Sequence, residues 1–244
     1  MWTTLIVQPL TNILIVFYNV LGHDLGIAII ALTVLIRLVL YPLSRKAIAG
    51  QVAMQRIQPK MKELQQQHKG NREALAKATM ALYAEQKVNP LSSCLPTLVQ
   101  LPFLLGIYGA LRLAFEGGAQ SLLYAFVAHP TELRDVAFGF LPMGTSSIPL
   151  ALLAGAAQFW VMKMLVDSRP PTSVAQSSGK DEDMMTMMNK QMKYMMPIVT
   201  VVIGATLPAG LTLYWLVTTL FQGAQQKLAF ASIRGAPAPA SEKK

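Results

Sequence analysis

The stretch His23-Asp24-Leu25-Gly26-Ile27-Ala28-Ile29-Ile30-Ala31-Leu32-Thr33-Val34-Leu35-Ile36-Arg37-Leu38-Val39-Leu40-Tyr41 is apolar from Leu25 to Leu40 except at Thr33 and Arg37. As a helix of about 19 residues rising ~1.5 Å each, it covers roughly 28 Å, close to the hydrocarbon thickness of a bilayer. It predicts a transmembrane helix, and with it an all-α integral membrane fold. Four further apolar stretches continue the pattern: Leu95 to Phe115, Ile148 to Val166, Met192 to Leu207 and Ala209 to Leu228. Between the last two, Thr206-Leu207-Pro208-Ala209-Gly210 supplies a tight turn, because Pro and Gly break helices where the chain reverses.

The chain so divides into an interfacial amphipathic helix (1–22), transmembrane helix 1 (23–44), a cytoplasmic helical hairpin (45–89), helix 2 (90–116), an extracytoplasmic loop (117–145), helix 3 (146–167), a cytoplasmic loop (168–190), helix 4 (191–207), helix 5 (208–230) and a cytoplasmic tail (231–244). Composition agrees: 53% of the 244 residues are hydrophobic and 14% charged, an apolar excess diluted by one long polar segment. The net charge of +9 takes its meaning from its position, since cytoplasmic loops collect Lys and Arg. Between the first two spans lie Arg45, Lys46, Arg56, Lys60, Lys62, Lys69, Arg72, Lys77 and Lys87, against Glu63, Glu73 and Glu85. The loop at 117–145 has Arg134 alone, the next has Arg169, Lys180 and Lys190, and the tail has Arg234, Lys243 and Lys244. This alternation places the N-terminus outside and the C-terminus in the cytoplasm.

In residues 3 to 22, Ile6, Leu10, Ile13, Phe17 and Leu21 form a helical stripe that Gln8, Asn12 and Asn19 interrupt. An interfacial outer helix is the preferred reading, with a sixth span as the alternative. No basic region precedes an apolar core here and no cysteine is present for lipid attachment, so the N-terminus is expected to be unprocessed. Cys94 is the single cysteine, and His23, His68 and His129 are scattered, so neither a disulfide within the chain nor a metal centre is expected. With no GxxxxGK run, nucleotide-driven work, a cofactor and enzymatic catalysis are not expected either.

Within 45–88, Met54, Ile57, Met61 and Leu64, then Leu75, Ala78 and Leu82, recur at helical spacing, with a break at Lys69-Gly70-Asn71. Two such stripes facing one another make an antiparallel hairpin with the basic residues outside. Those cations are either a solvated surface near anionic lipid or a docking arm for incoming chains. Ser, Pro and Gly make 168–183 a flexible loop, and Met184, Met185, Met187, Met188, Met192, Met195 and Met196 are either the packed entry to the fourth span or a soft, adaptable surface.

Arg37 is the site candidate. Its Cα lies ~12 Å below the cytoplasmic boundary near Arg45, and a charge facing lipid there costs about 2.5–3.5 kcal/mol. It either snorkels to the surface or faces a polar cavity, and no acidic residue within a span is available to pair with it. Thr33 is one turn away on the same face, and Gln100 and Gln158 are further polar wall, although interhelical hydrogen bonding explains a buried glutamine as well. A small transporter using Arg37 as an anion site is the rival, but five spans do not divide into equal repeats.

Several spaced motifs carry a resemblance. Leu35-Ile36-Arg37-Leu38-Val39-Leu40-Tyr41-Pro42-Leu43, Gln58-Pro59-Lys60-Met61, Val88-Asn89-Pro90-Leu91, Cys94-Leu95-Pro96, Gln100-Leu101-Pro102, Met196-Pro197, Leu207-Pro208-Ala209-Gly210-Leu211 and Leu213-Tyr214-Trp215 occur in the order that resembles the YidC family of membrane protein insertases. The resemblance, strongest to the short form of monoderm bacteria, implies five helices, an outer amphipathic helix and a cytoplasmic hairpin. It implies a hydrophilic groove that receives Arg37, Thr33, Gln158 and Trp215, and a hairpin, with Arg56, Lys60, Lys62, Arg72 and Lys77, that recruits substrate. Nascent membrane proteins are the implied partners, within the lipid bilayer of the plasma membrane, together with the Sec translocon, the signal recognition particle and its receptor, and the ribosome. Nucleic-acid contact is expected only through the ribosome. Ser92-Ser93 and Leu207 depart from the usual family residues, and the tail is brief. An assembly chaperone without autonomous insertion remains the alternative function.

Overall fold

The computed structural model describes residues 1–89, 95–130, 133–167 and 180–234. Pro90, Leu91 and Cys94 of the motifs, Ser92-Ser93, residues 168–179 of the expected loop, and Lys243 and Lys244 lie outside the described residues. The described chain is mainly helical: α1 (Gln8–Val20, extending a π-helical turn at Thr3–Val7), α2 (Leu25–Val39), α3 (Tyr41–Arg56), α4 (Gln58–Gln67), α5 (Arg72–Glu85), α6 (Leu95–Phe115), α7 (Ile148–Asp167), α8 (Lys180–Thr206) and α9 (Ala209–Arg234). A 3-10 turn at Gly118–Leu122 and a two-stranded hairpin, β1 (Val136–Ala137) antiparallel to β2 (Leu141–Pro142), lie between α6 and α7. Residues 180–190, expected in the loop, belong to α8.

Thr3–Val20, Leu98–Phe115 and Ile148–Leu165 are long and apolar enough to cross a membrane, and α2 joins them if it and the helix after it form one bent span. The apolar part of α8 is the shorter Lys193–Thr206. The decisive run of sequence therefore folds as a helix, but that helix ends at Val39 and the chain turns by 67° at Leu40. Pro42 explains the break: it has no N–H to continue the ladder, and it is tolerated only in the first turn of the helix that follows, where it sits in α3.

α2 begins at a two-handed cap. Asp24 Oδ1 accepts from the Ile27 N–H at 3.0 Å, satisfying an orphan donor of the first turn, and Oδ2 accepts from the Phe138 N–H at 2.6 Å. One side chain so joins the helix start to the β-hairpin. Asp24→Ala is expected to lower stability by about 1–2 kcal/mol and Asp24→Asn by less, read from thermal unfolding in detergent. In the middle of the polar segment, Asn71 caps α5 through the Ala74 N–H at 3.0 Å, and Gly70 takes the left-handed conformation at φ +84° that turns the chain out of α4.

The main core gathers Leu10, Leu14 and Tyr18 of α1, Leu25, Ala28, Ile29, Leu32 and Ile36 of α2, Ile107, Ala110 and Leu111 of α6, and Leu211, Leu213 and Tyr214 of α9. On α2 those positions recur every three or four residues, so one face of an apolar helix meets protein and the rest is left for lipid. α7 packs on α8 and α9, α2 on α9, and α1 on α2 and α6. Two of the polar residues that interrupt the stripe, Asn12 and Asn19, have specific partners. Asn12 donates to the Leu122 carbonyl at 2.9 Å and accepts from the Tyr124 N–H at 2.7 Å, and Asn19 donates to the Ala128 carbonyl at 2.8 Å. They clamp the loop after α6, more than a hundred residues away in sequence.

Candidate functional site

Thr33 and Arg37, one turn apart on α2, are both buried, at 0% and 6% exposure. The Thr33 hydroxyl donates to the Ile29 carbonyl at 2.6 Å, the backbonding usual for threonine in a helix. Arg37 faces α9 and is in electrostatic reach of the Tyr214 hydroxyl. Gln100 of α6 donates from Nε2 to that same hydroxyl. Three helices therefore converge through Arg37, Tyr214 and Gln100.

No carboxylate among the described residues pairs with the guanidinium. Among the described residues the ion pairs are Lys77–Glu73 and Arg112–Glu116, both exposed, and Arg37 Nε is buried without a hydrogen-bond partner. A guanidinium offers five donors and no acceptor, so what completes this site must supply acceptors. No group of His, Cys, Asp and Glu able to hold a metal occurs among the described residues.

The other expected groove residues are placed differently. Gln158 is half-buried on α7, whose partners are α8 and α9, and no hydrogen bond ties it to Arg37. Trp215 is half-buried next to Tyr214, about 100° further round α9. Sequence reasoning missed Tyr214 as a site residue, although its motif was noted. A turn beyond it Thr218 is buried, and towards the end of α9 Gln225 and Gln226 are also buried. Spacings of four from Tyr214 to Thr218 and of seven from Thr218 to Gln225 put a polar line along one face of α9, the signal that was available. Tyr214→Phe keeps the buried ring but leaves the Gln100 amide unpaired. A stability loss of about 1 kcal/mol is expected, measured by thermal unfolding in detergent.

On the polar segment Arg56, Lys60, Arg72 and Lys77 are exposed and Lys62 half-buried, while Ile57 and Leu82 are buried. Lys77 pairs with Glu73 at 2.9 Å. α4 and α5 contact one another across the turn at 68–71. α3 rests with Ile48 and Val52 against Met164, Leu165 and Ala229, and Gln55 donates to the Leu165 carbonyl at 3.2 Å. Met195 and Met196 are exposed.

The family model described as 60Kd inner membrane protein matches residues 16–235. A protein of Pelobacter propionicus described as "Membrane protein insertase YidC" is 35% identical over 230 residues, covering 92% of this chain and 38% of that protein. One of Listeria innocua described as "Membrane protein insertase YidC 2" is 31% identical over 227 residues, covering 90% of this chain and 69% of that protein. This chain thus spans well under half of the Pelobacter relative. A solved structure described as "Active YidC insertase crystal structure with the first transmembrane domain resolved" is similar in fold, with a TM-score of 0.55 at 24% identity, over 86% of this chain and 45% of that one. With a match running through nearly all the helices that bear Arg37, Gln100 and Tyr214, the chain belongs to the 60Kd inner membrane protein family of integral membrane proteins.

Proposed function

We propose that this chain is a membrane protein insertase that also helps its substrates to fold, and that Arg37 is the centre of the groove they use. The observation that carries the reading is a buried guanidinium, 6% exposed, with no acidic partner among the described residues. A permanent cation held this way is costly unless acceptors come to it, and a polar or acidic segment of a passing chain supplies them. Thr33, Gln100, Gln158, Trp215 and Tyr214 line the path. The apolar part of the substrate moves past α7 and α9 into lipid, and its departure from water supplies the free energy.

In this reading five helices, α2, α6, α7, α8 and α9, cross the plasma membrane, with α1 at the outer interface and the C-terminus in the cytoplasm. α3, α4 and α5 then form the cytoplasmic arm that receives substrate through Arg56, Lys60, Lys62, Arg72 and Lys77. The short apolar part of α8, Lys193–Thr206, covers roughly 21 Å, which favours a locally thinner bilayer and a shorter crossing for the polar segment. The Sec translocon, the signal recognition particle with its receptor, and the ribosome are the partners we propose upstream.

The test uses liposomes containing this chain alone and a single-span substrate with an acidic outer tail. Protease protection of the tail above that in empty liposomes is the expected result. Protection no greater than in empty liposomes would overturn autonomous insertion and leave the assembly-chaperone reading.

A further inference from the structure

The segment between α6 and α7 exposes three phenylalanines: Phe126 at 82%, Phe138 at 42% and Phe140 at 76%. Phe138 and Phe140 flank Gly139 at the tip of the β-hairpin. The Phe140 N–H donates to the Ala137 carbonyl at 3.2 Å, and Phe138 and Gly139 have φ of +54° and +78°, the left-handed pair of a type I′ turn. Asn, Asp or Gly suits the first of those positions, whereas an aromatic side chain with a Cβ is strained there. The tip therefore keeps its aromatic residue against the local preference of the backbone.

The tip is rigidly registered to α2. The Phe138 N–H donates to Asp24 Oδ2, and the edge of the Phe138 ring stands 3.1 Å from where a Cβ on Gly26 would be, in the first turn of α2. Beneath it Ala137 and Met143 are fully buried in the main core. A second aromatic pair, Tyr124 stacked on Phe126, sits in the loop that Asn12 and Asn19 tie to α1. The residues from Val136 to Pro142 carry no charge; Asp24 is turned onto backbone N–H groups, and the exposed charges Arg134 and Asp135 stand at the base of the hairpin, away from its tip.

We propose that the Phe138-Gly139-Phe140 tip docks into phospholipid, lying in the interfacial layer of the leaflet that α2 enters at its N-terminal end. The level of the tip is set by its contact with the first turn of an apolar helix, so the surface continuous with it is the membrane through which that helix runs. Phenylalanine lacks the polar handle that holds Trp and Tyr at headgroup level, and on a membrane-apposed surface its ring is buried at the boundary of headgroups and acyl chains. A tip fixed by hydrogen bonds and a buried base has little conformational freedom left to lose on partitioning, unlike a free loop. Docking there holds the start of α2 at the membrane surface.

The inference rests on α2 entering the bilayer and not on insertase activity. To test it, Cys94→Ser removes the native thiol and Phe140→Cys carries a nitroxide label, in the full chain reconstituted into vesicles of phosphatidylcholine and phosphatidylglycerol. The readout is spin relaxation by oxygen, which concentrates in lipid, against a water-soluble nickel chelate. A label at Leu152→Cys, exposed on α7, reports hydrocarbon independently. Stronger relaxation by oxygen than by nickel at position 140 is expected. Stronger relaxation by nickel at 140 with oxygen dominant at 152 would overturn the docking and leave the spans standing; nickel dominant at both would overturn the spanning reading and the docking with it.

Discussion

Replacing Arg37 by alanine is expected to reduce insertion of an acidic-tailed substrate by about tenfold or more, the factor that ~1.4 kcal/mol of lost stabilisation represents. Arg37→Lys is expected to retain much of the activity. Both follow from the burial of a guanidinium that no carboxylate neutralises among the described residues. In the proposed groove alanine would remove the charge that replaces bulk water for a passing segment, while lysine would keep it as a point charge and lose only the fork of donors. The measurement is the protease-protected fraction of substrate in proteoliposomes, with acidic and neutralised tails compared. Equal tolerance of alanine and lysine would sink the role of charge.

A comparable loss, of stability rather than activity, is expected from Gly155→Leu. Gly155 of α7 faces α8 so closely that a Cβ would meet the Val201 side chain and stand 3.2 Å from the Pro197 carbonyl oxygen. The Cβ of Ala151, one turn earlier, is 3.2 Å from where a Cβ on Gly204 would be. Small residues four apart let two helices approach at backbone distance, and in lipid that packing is a main force holding them. A leucine would have to push α8 away, at about 1–3 kcal/mol. Thermal unfolding in detergent measures it, and adding Val201→Ala should restore part of the loss because the two positions share one contact. An unchanged midpoint for Gly155→Leu would show that the seam yields without cost.

The elements most legible in the sequence were those governed by local chemistry. Apolar length marked α2, α6 and α7; Gly70 and Asn71 marked the turn into α5; Pro208 and Gly210 marked the reversal before α9. The pairing of Thr33 with Arg37 on one face followed from helical spacing alone. What escaped depends on partners far away in sequence. Asn12 and Asn19 read as blemishes on an apolar stripe because the loop they bind lies more than a hundred residues on. Tyr214 was passed over because neighbouring aromatics differ by ~100° in heading, and only packing against α2 and α6 says which of two faces inward. Gln225 and Gln226 lie in the more polar last part of α9, where composition alone does not distinguish a buried amide from a solvated one.

The carboxylate of Asp24, shared between a helix start and a hairpin, also sets a datum for depth. Counted from Leu25, Arg37 stands about 18 Å along the axis, and each residue added between them would advance it ~1.5 Å and swing it ~100°. One insertion there would aim the guanidinium away from Tyr214, and no adjustment elsewhere could re-aim it while the cap held. Beyond the bend at Leu40 the arithmetic changes, since extra turns in α4 or α5 lengthen the polar segment without rotating Arg37, whereas α3 is held by its contacts with α7 and α9. Length variation is therefore tolerable in residues 58–89 and intolerable in 25–37, so the far part of the polar segment is free to be refitted while the cation keeps its heading.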